Sequence, residues 1–201
     1  MRLYFVPQTR SFRTLWALEE IGEPFDLVEM TRGQKVGAEH RGRHPLGKVP
    51  VIDDGEGPIF ESAGILLHLS DLHPDKGLAP APGTHERGLL YQWLFFSMTE
   101  LEVPIVDVYI QKVHREAPDE AIIEAGSERF RDAITVIEDA LASRDYMLES
   151  GFSIADIAMG EMLTFAGYME LMDGLPNAAA YLERLRERPA HQRASAVGVA
   201  A

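Results

Sequence analysis

The 201-residue chain contains no cysteine. That absence removes disulfides, cysteine nucleophiles, thiolate metal sites and C-x-x-C redox motifs together. Long apolar runs are missing too, since no stretch reaches the roughly 18 unbroken apolar residues of a membrane-spanning helix. The opening segment "MRLYFVPQTR" has an apolar run of about five residues, too short for an export signal. A cytoplasmic protein without a membrane partner is the expectation. Positive charge is also scarce: 19 Lys and Arg stand against 32 Asp and Glu, a formal net charge of −13. Nucleic acid is bound by clustered Lys and Arg, so this balance argues against it as a partner. The scarcity is uneven, however. Residues 1–50 hold eight basic groups against six acids, and the remainder hold 11 against 26. A basic excess confined to the N-terminal quarter would suit one small anionic ligand.

What is present divides by period. "RLYFV" is a short apolar and aromatic run of the kind that forms a buried strand. "SFRTLWALEEIG" follows, with Phe12, Leu15, Trp16 and Ile21 near one helical stripe, Ser11 placed to cap it and Gly22 to end it. "PFDLVEM" reads as a second strand, so the chain begins β-α-β, which favours a parallel pair. Residues 31–47 are polar and Gly-rich, a loop with one irregular helix. "VPVID", "DGEG" and "PIF" form an antiparallel hairpin, and "ESAGILLHLSDLH" returns to helical spacing. "PDKGLAPAPG" is a linker by composition. Beyond it the pattern is helical throughout, with Pro104 expected to kink a long segment from about residue 84 to 115. The fold class is therefore α/β plus all-α. A βαβ-ββα domain over 1–77 and a linker over 78–84 lead into an all-helical domain over 85–201.

Such a β-α-β-β-α half-domain resembles the thioredoxin-like arrangement. Val49-Pro50 sharpens the likeness, because proline at the start of a strand cannot donate to the ladder. A cis bond there would turn the Val49 backbone outwards, where its N–H and C=O can pair with a peptide-like ligand. "ESA" sets Glu61 and Ser62 at a strand-to-helix junction, with Ser62 a natural cap and the first-turn N–H groups ready for a carboxylate. In "FSIAD", Ser153 and Asp156 form a capping box, with Phe152 and Ile157 spaced as a hydrophobic staple. That motif reads as folding, not catalysis.

The stretches "LYFVPQTRSFRTLWALEE", "PLGKVPVI", "ESAGILLHL" and "GFSIADIAMGEM", in this order and spacing, resemble the cytosolic glutathione transferase family across nearly the whole chain. The resemblance implies an enzyme that activates the thiol of bound glutathione, its co-substrate, for attack on small hydrophobic electrophiles, with no metal. It also implies a homodimer with a cytoplasmic detoxifying role. Val49, Pro50, Glu61 and Ser62 would hold the glutathione backbone and γ-glutamyl end. Lys35, His40 and Lys48 are the candidates for its glycine carboxylate. The electrophile would meet the long kinked helix, whose facing residues include Phe96, Met98, Glu100, Tyr109 and His114. Glutathione-dependent isomerisation or peroxide reduction, and a non-catalytic binding or regulatory role, are the alternatives.

The chemistry asks for a thiolate. A free thiol has a pKa near 8.5, so a useful thiolate fraction at neutral pH needs a drop of roughly two units, about 2.7 kcal/mol. "QTRSFR" offers hydroxyl donors, arginines and a helix start, all of which stabilise an anion. Serine branches of the family place their hydroxyl at the position of Thr9, and the bacterial cysteine branch places its thiol at Arg10 with a serine next. This chain departs from both. Ser11 is favoured as hydroxyl donor, with Arg10 on the thiolate and Thr9 as the alternative. With no cysteine of its own, the protein cannot form a mixed disulfide, so the thiol must come from the ligand.

Overall fold

In a computed structural model, which describes residues 1–197, the chain divides into two compact units. One comprises residues 1–79 together with residues 186–197, and the other residues 80–185. Residues 198–201, within the expected helical domain, lie outside the described residues.

The first unit is built on a four-stranded sheet. Its strands are β1 (Arg2–Phe5), β2 (Asp26–Glu29), β3 (Val51–Asp53) and β4 (Pro58–Phe60), in the order β2-β1-β3-β4. β1 pairs parallel with β2, Leu3 opposite Leu27, and antiparallel with β3, Tyr4 opposite Val51. β3 and β4 form the expected hairpin, Val51 opposite Phe60. Helices α1 (Ser11–Ile21) and α4 (Ser62–Leu72) pack together, and α1 also packs on β1. Leu3, Leu15, Ile52, Ile65, Leu66 and Leu69 are completely buried. Each such side chain contributes about 1.5–3 kcal/mol by leaving water. α1 stops at Gly22, whose φ of 74° is open to glycine and whose N–H closes on Leu18 O at 2.9 Å. The polar loop folds as two single turns, α2 (Arg32–Lys35) and α3 (Ala38–Arg41), rather than one irregular helix. The Val49-Pro50 bond is cis.

Two caps expected from the sequence take another form. Ser11 and Ser62 are the first helical residues of α1 and α4; the cap positions fall to Arg10 and Glu61, and neither makes a side-chain cap bond. The serine hydroxyls turn inward to other partners, given below.

The last described helix, α10 (Pro189–Val197), belongs to this unit and packs on α1. Arg188 donates twice to Glu20, at 2.7 and 2.9 Å, and Trp16 Nε1 donates to the same carboxylate at 2.9 Å. His191 stands edge-on to Trp16, centroids 4.7 Å apart. Burial holds its pKa down, and Arg186 adds to the effect.

The second unit holds α5 (His85–Phe96), α6 (Glu102–His114), α7 (Glu120–Leu141), α8 (Ile154–Tyr168) and most of α9 (Pro176–Arg186). The break in the long helical segment is a π-turn over Ser97–Leu101, just before Pro104. Proline has no N–H for Glu100 O, and the turn absorbs the misfit by carrying the Glu102 N–H back five residues to Ser97 O. α6 and α7 touch at Gly126, where a Cβ would sit 2.9 Å from Val108 Cγ2 and 3.1 Å from Pro104 O. The Ser153–Asp156 capping box is present at α8. Asp156, completely buried, accepts from Met147 N, Ser153 N and Tyr181 OH at 2.8 Å and from Ser153 Oγ at 3.0 Å. Burial pushes its carboxyl pKa up, against the pull of those four donors. Among the described residues no helix is long and apolar enough to cross a membrane.

Candidate active site

The strand register brings three short segments to one end of the sheet. Tyr4 lies opposite Val51, so Val6, after Tyr4, and Val49, before Val51, fall at the same end. Both belong to a buried cluster with Tyr4, Met30 and Val51. Val51 lies opposite Phe60, so Glu61 leaves β4 there as well. Thr9–Ser11, Val49-Pro50 and Glu61–Ser62 therefore gather at the C-terminal end of β1. Arg13, completely buried, ties the two helix starts by donating from Nη1 to Ser62 Oγ at 3.1 Å.

The β1–α1 turn has its own hydrogen-bond logic. Ser11 is 0% exposed; its Oγ accepts the Val6 N–H at 3.2 Å and lies 2.9 Å from Val6 O. Thr9 Oγ1, half-buried, lies 2.7 Å from Val6 O and 2.7 Å from Ser11 Oγ. Two oxygens that close need a proton between them, so one hydroxyl donates to the other and a single proton is left over for Val6 O or a ligand. The hydroxyl on the accessible side of this pair is Thr9. Arg10 is exposed at the cap position of α1, and Gln8 before it takes a left-handed φ of 56°.

At the other helix start, Glu61 is exposed and holds φ 75°, ψ 110°, a conformation that costs a non-glycine residue on the order of 1–3 kcal/mol. Strain of that size persists where the surroundings dictate it, and here it sets the Glu61 backbone beside the uncapped first turn of α4. Ser62 is buried, and its Oγ accepts from Arg13.

The basic loop leads into Val49. Lys35 is half-buried at the end of α2, and its carbonyl lies 2.9 Å from where a Cβ on Gly47 (φ 61°) would stand, so this crossing needs glycine. Lys48 is exposed; Val49 and Pro50 are buried. His40 is 1% exposed and bonds through Nε2 to Lys48 O at 2.8 Å. A side chain so placed does not present itself to a solvent-borne carboxylate as Lys35 and Lys48 can.

Two neighbours carried no sequence signal of their own. Arg43 lies over the Tyr4 ring at 4.4 Å and bonds Glu39 at 2.6 Å, clamping the loop to β1. His44 is buried against Phe60, ring centroids 4.6 Å apart; burial lowers its pKa, while Glu61 pulls the other way. Arg and His residues sit close in "AEHRGRHP", but nothing in one-dimensional spacing aims them at Tyr4 or Phe60. In the helical unit, Tyr109 packs edge-on to His114 and Phe165, centroids 4.9 and 5.3 Å apart. An open groove of about 610 Å³ lies at the other end of α1, lined by Leu15, Leu18, Phe25 and Leu27 among others. It holds none of the converging residues.

Comparison with known proteins agrees over both regions. Residues 1–71 match the glutathione S-transferase N-terminal domain, and residues 120–184 match the glutathione S-transferase C-terminal domain. Glutathione S-transferase 4 of Zea mays is 30% identical over 188 residues, covering 89% of this chain and 83% of that protein. Glutathione S-transferase GstA of Escherichia coli O157:H7 is 28% identical over 202 residues, with 96% of each chain covered. Among solved structures, a sphingomonad glutathione S-transferase complexed with glutathione has a TM-score of 0.89 at 29% identity, with all of both chains covered. A likeness that runs through both domains and nearly the full length of such relatives makes this chain a member of the cytosolic glutathione S-transferase family, a glutathione transferase enzyme.

Proposed function

We propose that the protein binds glutathione at the end of β1, activates its thiol there and directs it onto small, largely apolar electrophiles. The observation that carries this reading is the convergence of two helix starts without side-chain caps, α1 and α4, beside Val49. The positive end of a helix dipole favours anions at both starts, and at α4 no side chain caps the first-turn N–H groups. At α4 the anion is the γ-glutamyl carboxylate, met by Ser62, while Glu61 takes the ammonium group. The backbone of Val49, ahead of Pro50, pairs with the cysteinyl residue, and Lys35 and Lys48 serve the glycine carboxylate. At α1 the anion is the thiolate.

The burial of Ser11 moves the weight between the two hydroxyls. Ser11 donates to Thr9, and Thr9 turns its own proton to the sulfur, with the Arg10 guanidinium adding positive charge. The thiol proton leaves to water. The sulfur lone pair then forms the bond to the electrophilic carbon as the leaving group departs with its electron pair. The protein contributes orientation and electrostatic stabilisation. Exposed Val103, Ile110 and Val113 on α6 are apolar surface in keeping with an apolar electrophile. The family resemblance supports a homodimer and a cytoplasmic detoxifying setting.

Ultraviolet difference absorbance with saturating glutathione, titrated through neutral pH, tests the reading. The chain has no cysteine, so a thiolate band belongs to glutathione once tyrosine ionisation is subtracted. A midpoint about two units below that of a free thiol is expected. Glutathione binding without such a band would refute thiol activation.

A further inference from the structure

His40 is buried to 1% exposure at the end of a loop rich in cations, and the one hydrogen bond of its ring among the described residues is to backbone. Nε2 stands 2.8 Å from Lys48 O. A carbonyl oxygen only accepts, so Nε2 carries the proton and Nδ1 is left as a lone pair. That Nδ1 is buried and has no partner among the described residues. The ring is held in place by Tyr4, centroids 5.9 Å apart, and Tyr4 is itself covered by Arg43.

The bond matters because of the peptide it grips. Lys48 C=O and Val49 N–H belong to one planar unit and point in opposite directions. Fixing the oxygen therefore fixes the direction of the Val49 N–H, and drawing charge onto the oxygen strengthens that N–H as a donor. We infer that His40 is a positioning residue, which aims the Val49 N–H at the cysteinyl backbone of glutathione through Lys48 O instead of meeting the glycine carboxylate itself. This inference rests on the glutathione reading given above.

Two ligands separate the roles. γ-Glutamylcysteine keeps the cysteinyl residue and lacks the glycine; its own C-terminal carboxylate is the cysteinyl one, a residue short of where a glycine carboxylate would be met. Calorimetry on the full chain, with glutathione and with γ-glutamylcysteine, would compare wild type with His40→Phe, which keeps a ring without the donor, and His40→Gln, whose amide nitrogen takes the place of Nε2. His40→Phe should weaken both ligands alike, by about tenfold, the worth of one hydrogen bond near 1.4 kcal/mol. Turnover at saturating glutathione should stay within about twofold, placing the loss in KM. His40→Gln should restore both affinities to within about twofold of wild type. Should His40→Phe fail to fold, His40→Asn, whose amide corresponds to Nδ1 and stops short of Lys48 O, takes its place. The proposal is overturned if γ-glutamylcysteine is spared, if glutamine is no better than phenylalanine, or if neither ligand is weakened. Wild-type protein that binds neither ligand would instead overturn the glutathione reading, and this inference with it.

Discussion

Three described helix starts, α1, α4 and α8, carry a serine in the first turn or at its cap, and they are completed in two opposite ways. At α8, Ser153 and Asp156 close on each other: Ser153 Oγ accepts the Ala155 N–H, and Asp156 alone receives four hydrogen bonds. At α1, Ser11 bends back to Val6, and the cap position falls to Arg10, whose side chain makes no cap bond, while Thr9 Oγ1 takes the Ser11 N–H at 3.3 Å. α4 follows α1, while α5 and α7 follow α8, being capped by Thr84 and Asp119. A helix start that the protein finishes for itself is a folding element. One without a side-chain cap, beside a strained residue such as Glu61, is where the proposed ligand would complete the hydrogen bonding.

The contrast can be broken from either side. The largest effect is expected from Asp156→Asn, which leaves at least one buried donor facing an amide N–H. It should cost about 4 kcal/mol of stability, read from the urea midpoint. At the open start the loss should fall on catalysis. Thr9→Val is expected to lower kcat/KM about thirtyfold, near 2 kcal/mol, with little change in thermal midpoint. Ser11→Ala should do the reverse, losing about 1 kcal/mol of stability and less activity than Thr9→Val. If Ser11→Ala proves the more damaging to kcat/KM, Ser11 is the donor to the sulfur and the relay order is wrong.

Acid should loosen the first unit through His44 and His191. Both are held below their ordinary value of 6.5 by burial. As pH falls past that value the unfolded imidazoles take up protons that the folded ones refuse, so stability should decline from about pH 7 towards 5. Denaturant unfolding of His191→Phe across this range should show a flatter decline than wild type. Comparing the two removes Asp156, whose raised pKa carries the opposite sign. The smallest effect is expected from Arg193→Ala: its 2.7 Å pair with Glu19 is more than half exposed on the arginine side, and its loss should cost about 0.5 kcal/mol.

Much of the fold was legible because it rests on local rules. Gly22 ends α1, the β3–β4 hairpin forms, and Ser153-x-x-Asp156 starts α8, each from a few neighbouring residues. The site was legible in part, since register brings Thr9, Val49 and Glu61 together once the strands are known. What sequence reasoning missed depends on contacts distant along the chain. Ser11 and Ser62 look like caps until Val6 and Arg13 claim their hydroxyls. His40 looks like a surface cation until Tyr4 covers its ring. The break near Pro104 falls at Ser97 because the lost N–H is felt by the preceding turn, and only the folded helix shows how a π-turn absorbs it.

The docking of α10 on α1 also orders events during synthesis. The four strands and helices α1 to α4 leave the ribosome before any of the second unit, yet Arg188, His191 and Arg193 of the first unit emerge only after residue 185 has been made. Trp16, Glu19 and Glu20 must wait for them through the whole of the helical unit. Domains generally fold as units as they emerge, but here the first to be made is the last to be finished.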